Sequence, residues 1–335
     1  MRFSTSSFEA LSAERAFWLL LTLLALYGSA LEVASRLGFV RCSHIQTRID
    51  CSRREALAMR PDRHHVLVVG NSLLLHSVQT ERLQRELGAS YPLTCYAVEN
   101  TAFLDWYFGL RRLFAEGARP TTVAICLRPH DFLTDHVRDE YFGRYLMDSA
   151  DLWQARTAAA LDNNQTMELV FASVSSWMGS RGEIRNWLLN EIEPDMDELA
   201  GRFVGPATHR AEGDEVERCC QRLGELQRLC SEHSARLLWI VANSPHDADL
   251  EGRVVSRARS RCGVLWPLPA DRLPAAAYFD GLHMTPSAAA LFTERLAPLL
   301  RASLSPPAAG AAPPPAVRAP RPARPPSISS LSSSS

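Results

Sequence analysis

The sequence predicts an α/β protein: a three-layer α/β/α sandwich with a central five-stranded parallel sheet, preceded by one N-terminal transmembrane helix. Three observations predict it. From residue 63 onward, short apolar runs alternate with longer amphipathic stretches, and strands separated by helices pair in parallel through right-handed crossovers. Each run is followed by a polar cluster, and in such sheets ligands sit beyond the carboxyl ends of the strands. Ahead of the domain, residues 16–31 (AFWLLLTLLALYGSAL) are apolar and uncharged.

Residues 1–15 form a short segment before that stretch. Its 16 residues fall slightly short of the ~20 that cross a hydrocarbon core, but Val33 and Ala34 extend it past Glu32. Trp18 and Tyr27 stand near its two ends. The reading is an uncleaved anchor over residues 16–34. A cleaved signal peptide is the main rival, with small residues for cleavage at 27–30 (YGSA), although the stretch is longer and more aromatic than a usual signal core. A buried core helix is the third reading. The arginines on the two flanks are too even in number to fix the orientation.

Residues 35–62 are polar and arginine-rich and read as a juxtamembrane connector. The folded domain is placed at 63–303. Residues 65–69 (HVLVV) form a continuous apolar run suited to a strand buried on both faces. A helix over 77–87 follows, with Leu83 and Leu87 on one side, then a second strand over 93–98. A helix over 104–115 carries Trp106, Leu110, Leu113 and Phe114, and 121–127 (TTVAICL) is the third strand. Residues 132–212 are less regular and read as a helical insertion near the mouth of the site, with helical patches at 167–178 and 184–199. A long amphipathic helix over 214–234 leads into the fourth strand, 236–241 (RLLWIV). A helix over 248–261, a fifth strand over 264–268 and a closing helix over 286–301 complete the domain. Pro286 suits a first helical turn, where its missing N–H would have had no partner. The tail, 304–335, is Pro, Ala and Ser without core-forming residues and is expected to be disordered or extended.

Composition removes several function classes. A formal net charge of −1 gives no electrostatic footprint for nucleic acid. All 36 basic residues are arginines, scattered rather than clustered, as a phosphate site would require. Gly70 is not followed by further glycines, so no nucleotide-binding fingerprint follows the first strand. None of the eight cysteines forms a C-x-x-C pair, and Cys230 with His233 supplies only two ligands; no metal or cofactor is expected. Cys95 and Cys126 sit in strand-like runs as small buried hydrophobes. Cys42 and Cys51 flank a short polar segment and would bridge if that side is oxidising.

The chemistry concentrates at two places. Ser72 ends the first apolar run (VLVVGNS), and Asp280-Gly281-Leu282-His283 follows the fifth strand. Polar residues after the other strands (Asn100, residues 128–131 and residues 243–247) converge on the same edge. A hydroxyl, an imidazole and a carboxylate are the parts of nucleophilic acyl transfer: Ser72 attacks, His283 takes its proton, and Asp280 holds the ring's tautomer. The plain alternative is that Ser72 caps the next helix and Asp280 caps a turn.

These two blocks resemble the SGNH (GDSL-type) hydrolase family over roughly residues 63–303. The likeness is strongest at Gly70-Asn71-Ser72 and at residues 278–286 (YFDGLHMTP) followed by a helix. It implies a flavodoxin-like sheet, a catalytic Ser72, His283 and Asp280, and an oxyanion and substrate pocket formed by Gly70, Asn71, Asn100, Thr101 and His130. The chain departs from the family in three ways. Asn71 stands where the family has aspartate, residues 98–102 (VENTA) lack the second block's glycine, and Arg128-Pro129-His130-Asp131 replaces Gly-x-Asn-Asp. His130 would then donate in place of the asparagine. The anchored arrangement, with Glu32 and Arg36 one turn apart, also resembles envelope proteins that move acyl groups onto cell-surface polymers. It implies an acyl-ester or acyl-acceptor glycan substrate and a membrane-bound O-acyltransferase as partner. From the residues alone, that pair is an i,i+4 contact at an interfacial helix end. Two functions are therefore expected: a membrane-anchored esterase or O-acyltransferase, or a catalytically impaired envelope module binding polysaccharide or a partner acyltransferase.

Overall fold

All five residues of β1 (Val66–Gly70) are buried, as expected for a strand covered on both faces. In the computed structural model, which describes residues 13–37, 44–60, 63–138, 141–182, 213–242, 244 and 247–305, β1 lies inside a five-stranded sheet. Its neighbours are β2 (Leu93–Ala97), β3 (Thr122–Leu127), β4 (Arg236–Val241) and β5 (Gly263–Leu265), in the order β2-β1-β3-β4-β5. Every pairing is parallel. The order reverses at β1, between β2 and β3, which opens a crevice at their carboxyl ends.

Among the described residues the helices are α1 (Ala13–Arg36), α2 (His44–Leu57), α3 (Ser72–Ser77), α4 (Thr80–Leu87) and α5 (Phe103–Ala115). They continue with α6 (Leu152–Ala158), α7 (Asn163–Val174), α8 (Gly213–Glu232), α9 (Ala248–Ala258) and α10 (Pro286–Leu304). Successive strand side chains point to opposite faces, so each strand feeds two cores. Leu67, Val69, Ile125 and Trp239 pack with α2, α5, α8 and α9. Val66, Val68, Cys126 and Ile240 pack with α3, α4 and α10. This is the three-layer sandwich expected.

Several boundaries differ from the sequence reading; the fifth strand, expected over 264–268, runs only from Gly263 to Leu265. The helix expected over 77–87 is two helices: α3 begins at Ser72, and Val78 between them is extended (φ −117°, ψ 116°). The next residue's N–H, on Gln79, donates to Thr293 Oγ1 on α10 at 2.9 Å. Part of the polar segment 35–62 is α2, which buries Ile49 and Ala56 completely. The helix expected from 167 starts at Asn163 instead, set by a capping box in which Asp162 Oδ1 accepts from Gln165 N–H and Gln165 Oε1 accepts from Asp162 N–H. The helical patch 184–199, His246, Asn243, Cys42 of the Cys42–Cys51 pair, and the tail from 306 lie outside the described residues. Residues Glu14–Arg36 of α1 are apolar enough and long enough to cross a membrane, and that window is uncovered by the rest of the protein.

Candidate active site

Gly70 ends β1 where β3 passes closest. A Cβ there would stand 2.5 Å from the Cys126 carbonyl oxygen and 3.0 Å from Leu74 Cβ, so glycine lets the strand turn directly into α3. Asn71 then caps that helix, its Oδ1 accepting from Leu73 N–H at 3.0 Å. The Asn71 amide nitrogen donates to the Thr101 carbonyl at 3.1 Å and to Asp131 Oδ2 at 3.0 Å. Asp131 also accepts from the Arg128 N–H at 3.1 Å and pairs with Arg128 Nε at 2.8 Å. The loops after β1, β2 and β3 are thus pinned to one another. Ser72 occupies the first position of α3, where a backbone N–H has no intrahelical acceptor.

The second block folds into a closed loop. Tyr278 and Met284 form an antiparallel bridge, Phe279 N–H donates to the His283 carbonyl at 3.0 Å, and Thr285 N–H donates to the Ala277 carbonyl at 2.8 Å. Gly281 sits at φ +81°, a left-handed conformation that glycine adopts without strain. Asp280 Oδ1 accepts from the N–H groups of Leu282 and His283 at 2.9 and 2.7 Å, the Asx turn open to a short carboxylate. Its Oδ2 lies 2.6 Å from His283 Nδ1, and His283 Nε2 lies 2.9 Å from Ser72 Oγ. With the ring proton on Nδ1, facing the carboxylate, Nε2 is left to accept the serine O–H. The ring is further held by Phe279, stacked at 5.7 Å between centroids, and by His76 at 4.7 Å.

The charges suit this arrangement. Burial pushes the Asp280 carboxyl up, but the His283 N–H, the His283 ring and the Leu282 N–H together outweigh it and hold the group below the usual carboxylate range. His76 is pulled down by burial and by the neighbouring His283. Asp105 accepts from the Ala102 and Arg138 N–H groups, each at 2.9 Å. Complete burial nevertheless pushes its carboxyl up to about 7, against the pull of those two bonds.

Beside the serine lies a pocket of about 200 Å³, lined in part by Ser72, Asn71, Asn100, Thr101, His130 and Leu282. Asn100 is at φ +55°, which asparagine tolerates better than most side chains. The Thr101 hydroxyl is engaged internally, donating to the Val98 carbonyl at 2.6 Å and accepting from Trp106 Nε1 at 3.0 Å. The Thr101 carbonyl is taken by Asn71, so the Thr101 N–H is what remains for a ligand. Among the residues singled out from the sequence, Ser72, His283 and Asp280 are joined by hydrogen bonds, and Asn71, Asn100, Thr101 and His130 share the pocket wall. Gly70 acts as a spacer beneath it. The sequence alone assigns no role to three residues: Asp131, which ties Asn71 to Arg128; His76, packed on the His283 ring; and Asp105. Asp105 and Asp131 each carry a local signal, standing three residues after the residue that precedes a helical turn and accepting from that residue's N–H, on Ala102 and on Arg128.

No protein-family model matches this chain, and no curated protein matches its sequence. Solved structures do resemble it. The crystal structure of TesA is 14% identical, covering 72% of this chain and 99% of its own, with a TM-score of 0.39. A putative acylhydrolase from Bacteroides fragilis is 11% identical, covering 78% of this chain and 98% of its own at a TM-score of 0.41. LAE5, an alpha/beta hydrolase enzyme from the metagenome of Lake Arreo, Spain, is 10% identical, covering 75% and 100% at a TM-score of 0.37. Likeness of this size assigns neither fold nor activity.

Proposed function

We propose that this protein is a membrane-anchored serine-nucleophile acyl-ester enzyme, an SGNH-type esterase or O-acyltransferase acting on glycan or lipid esters outside the cytoplasm. The observation that carries the proposal is the unbroken contact chain from Asp280 Oδ2 through both nitrogens of His283 to Ser72 Oγ, at 2.6 and 2.9 Å. A serine that merely caps a helix has no need of an imidazole 211 positions away.

In the first half-reaction Ser72 Oγ attacks the ester carbonyl while His283 Nε2 takes its proton. Collapse of the tetrahedral adduct expels the alcohol, which leaves with the proton from Nε2, and the acyl group stays on Ser72. Water or a sugar hydroxyl then gives its proton to Nε2 and attacks the acyl carbon; collapse of this second adduct returns that proton to Ser72 Oγ and releases either an acid or a new ester. Asp280 stabilises the imidazolium in both halves. The donors proposed for the oxyanion are the Ser72 N–H, the Thr101 backbone and the His130 ring, each worth roughly 10²–10³ in rate by analogy with other oxyanion holes. A pocket of about 200 Å³ is smaller than the ~300–1,000 Å³ usual for larger ligands, which favours a short acyl group.

The test is a serine-directed fluorophosphonate. Wild type should be labelled at Ser72, and Ser72→Ala should not be. Folded wild type that resists labelling overturns the proposal. The second reading would then stand: an SGNH-fold module that binds polysaccharide or a partner acyltransferase without turnover. That reading is favoured by Arg128-Pro129-His130-Asp131 in the third block, where Asp131 is spent on holding Asn71 and Arg128.

A further inference from the structure

We propose that α7 is a second membrane contact: its outer face, and the groove between it and α1, are filled by phospholipid acyl chains of the leaflet that α1 enters. This rests on α1 crossing the bilayer.

The first observation is that α7 is apolar on two sides. Leu169 and Ala172 are buried against the domain. Met167, Phe171 and Val174, at i, i+4 and i+7 on the opposite side, are 50%, 46% and 63% exposed. A helix apolar on opposite faces belongs in a protein interior or in lipid, and the protein covers only one of these faces.

The second observation is that α7 is continuous with the anchor. Glu32 on α1 accepts from Ser175 Oγ at 2.8 Å and from the Ser176 and Trp177 N–H groups at 2.9 and 3.1 Å, just beyond the end of α7. Arg36 donates to the Val174 carbonyl at 3.3 Å and to Glu32 at 2.6 Å. The Glu32 carboxylate is therefore saturated, and the charge left exposed in the groove lining is Arg36, at the end of α1. That groove, about 950 Å³ and open along its length, has Ala25, Gly28 and Val33 of α1 on one wall and Phe171 and Val174 on the other.

Depth decides the occupant. At 1.5 Å per residue, Ala25 lies roughly 16 Å along the axis from Arg36, deeper than the ~5–8 Å of one headgroup layer. If α1 spans the bilayer, the far end of the groove is below the headgroups and lipid must line it. Arg36, exposed at the end of α1, is placed for the lipid phosphates. Two attachments also fix the tilt of the domain, which a single flexible tether could not do.

The test uses the full chain in phosphatidylcholine–phosphatidylglycerol vesicles carrying a trace of phospholipid with a photoactivatable diazirine on its acyl chain. After irradiation, adducts are mapped by peptide mass spectrometry. Peptides covering Met167, Phe171 and Val174 should carry adducts at a yield within about tenfold of α1, and Phe171→Glu should lower the α7 yield about tenfold with α1 unchanged, since a carboxylate is strongly disfavoured in lipid. Labelling of α1 with none on α7 overturns the proposal and leaves the anchor standing. Labelling of neither overturns both. Under oxidant, a disulfide between two copies of Phe171→Cys with no lipid adduct on α7 overturns it in favour of a dimer.

Discussion

Changing Asn71 to aspartate, the residue the SGNH family carries before its serine, should weaken this protein. The Asn71 amide nitrogen donates to the Thr101 carbonyl and to Asp131 Oδ2, while its oxygen accepts from Leu73 N–H. Both Asn71 and Asp131 are buried, at 6% exposure each. A carboxylate in place of the amide keeps the Leu73 bond and turns both donated bonds into oxygen–oxygen contacts. The bond to Thr101 is worth about 1 kcal/mol, and the bond to a carboxylate about 1.5–3 kcal/mol. Two carboxylates at hydrogen-bond distance do not both stay ionised, so one takes up a proton and its folded-state pKa rises.

The sign of the pH dependence follows. An acid whose pKa is raised on folding binds more protons in the folded state, so stability falls as pH rises from the unfolded value near 4 and levels off above the folded value. With the proton held between the two carboxyls, only the Thr101 bond is lost, and the deficit of Asn71→Asp against wild type is about 1 kcal/mol at pH 4. At pH 7 the bond to Asp131 is lost as well, adding its ~1.5–3 kcal/mol, for a total of roughly 2.5–4 kcal/mol. Denaturant unfolding of both proteins at the two pH values measures this directly. A deficit below about 0.5 kcal/mol at pH 7, or one that grows on acidification, would refute the hydrogen-bond network described around Asn71.

Two further outcomes follow from the same geometry. Asp280→Asn keeps an oxygen for the Leu282 and His283 N–H groups but presents an amide to His283 Nδ1, which moves the ring proton to Nε2 and turns it away from accepting the serine proton. Ester hydrolysis and fluorophosphonate labelling should fall by ~10⁴ with unfolding changed by under ~1 kcal/mol, and a loss below tenfold would sink the orienting role. Asp105, with its carboxyl at about 7 when folded, should make wild type lose about 3 kcal/mol of stability between pH 4 and 7 through this one group, because the folded state holds the proton more tightly across that window. Asp105→Asn should remove that slope; a difference curve against wild type that is flat across the window contradicts it.

The parts of this fold legible in the sequence are those whose cause is local. β1 reads as a strand because five consecutive buried residues leave no polar face, and the turn at Asp280 reads as a turn because its carboxylate and Gly281 act within three residues of each other. The end of α3 could not be read. Its chain continues in helix-compatible residues, and the break at Val78 comes with a hydrogen bond from Gln79 to Thr293, 214 positions away. The helix α2 was hidden for a different reason: its three arginines, Asp50 and Glu55 dominate the pattern, and Ile49 and Ala56, seven apart on one side, reveal the face it buries.

The same distinction explains the site. Ser72, His283 and Asp280 are recognisable because each sits in a short motif, but the residues that hold them in place are not. Asn71 alone looks like a tolerable substitute for aspartate, and Asp131 alone looks like a helix cap. Their 3.0 Å contact across 60 positions shows why each suits the other: a carboxylate at 131 requires a donor at 71, and the amide supplies it while still capping α3. A departure from a family's pattern is thus readable only together with its spatial partner. In the third block the same dependence ties Asp131 to Arg128 as well as to Asn71, while Arg128, His130 and Asp131 all line the pocket beside Ser72.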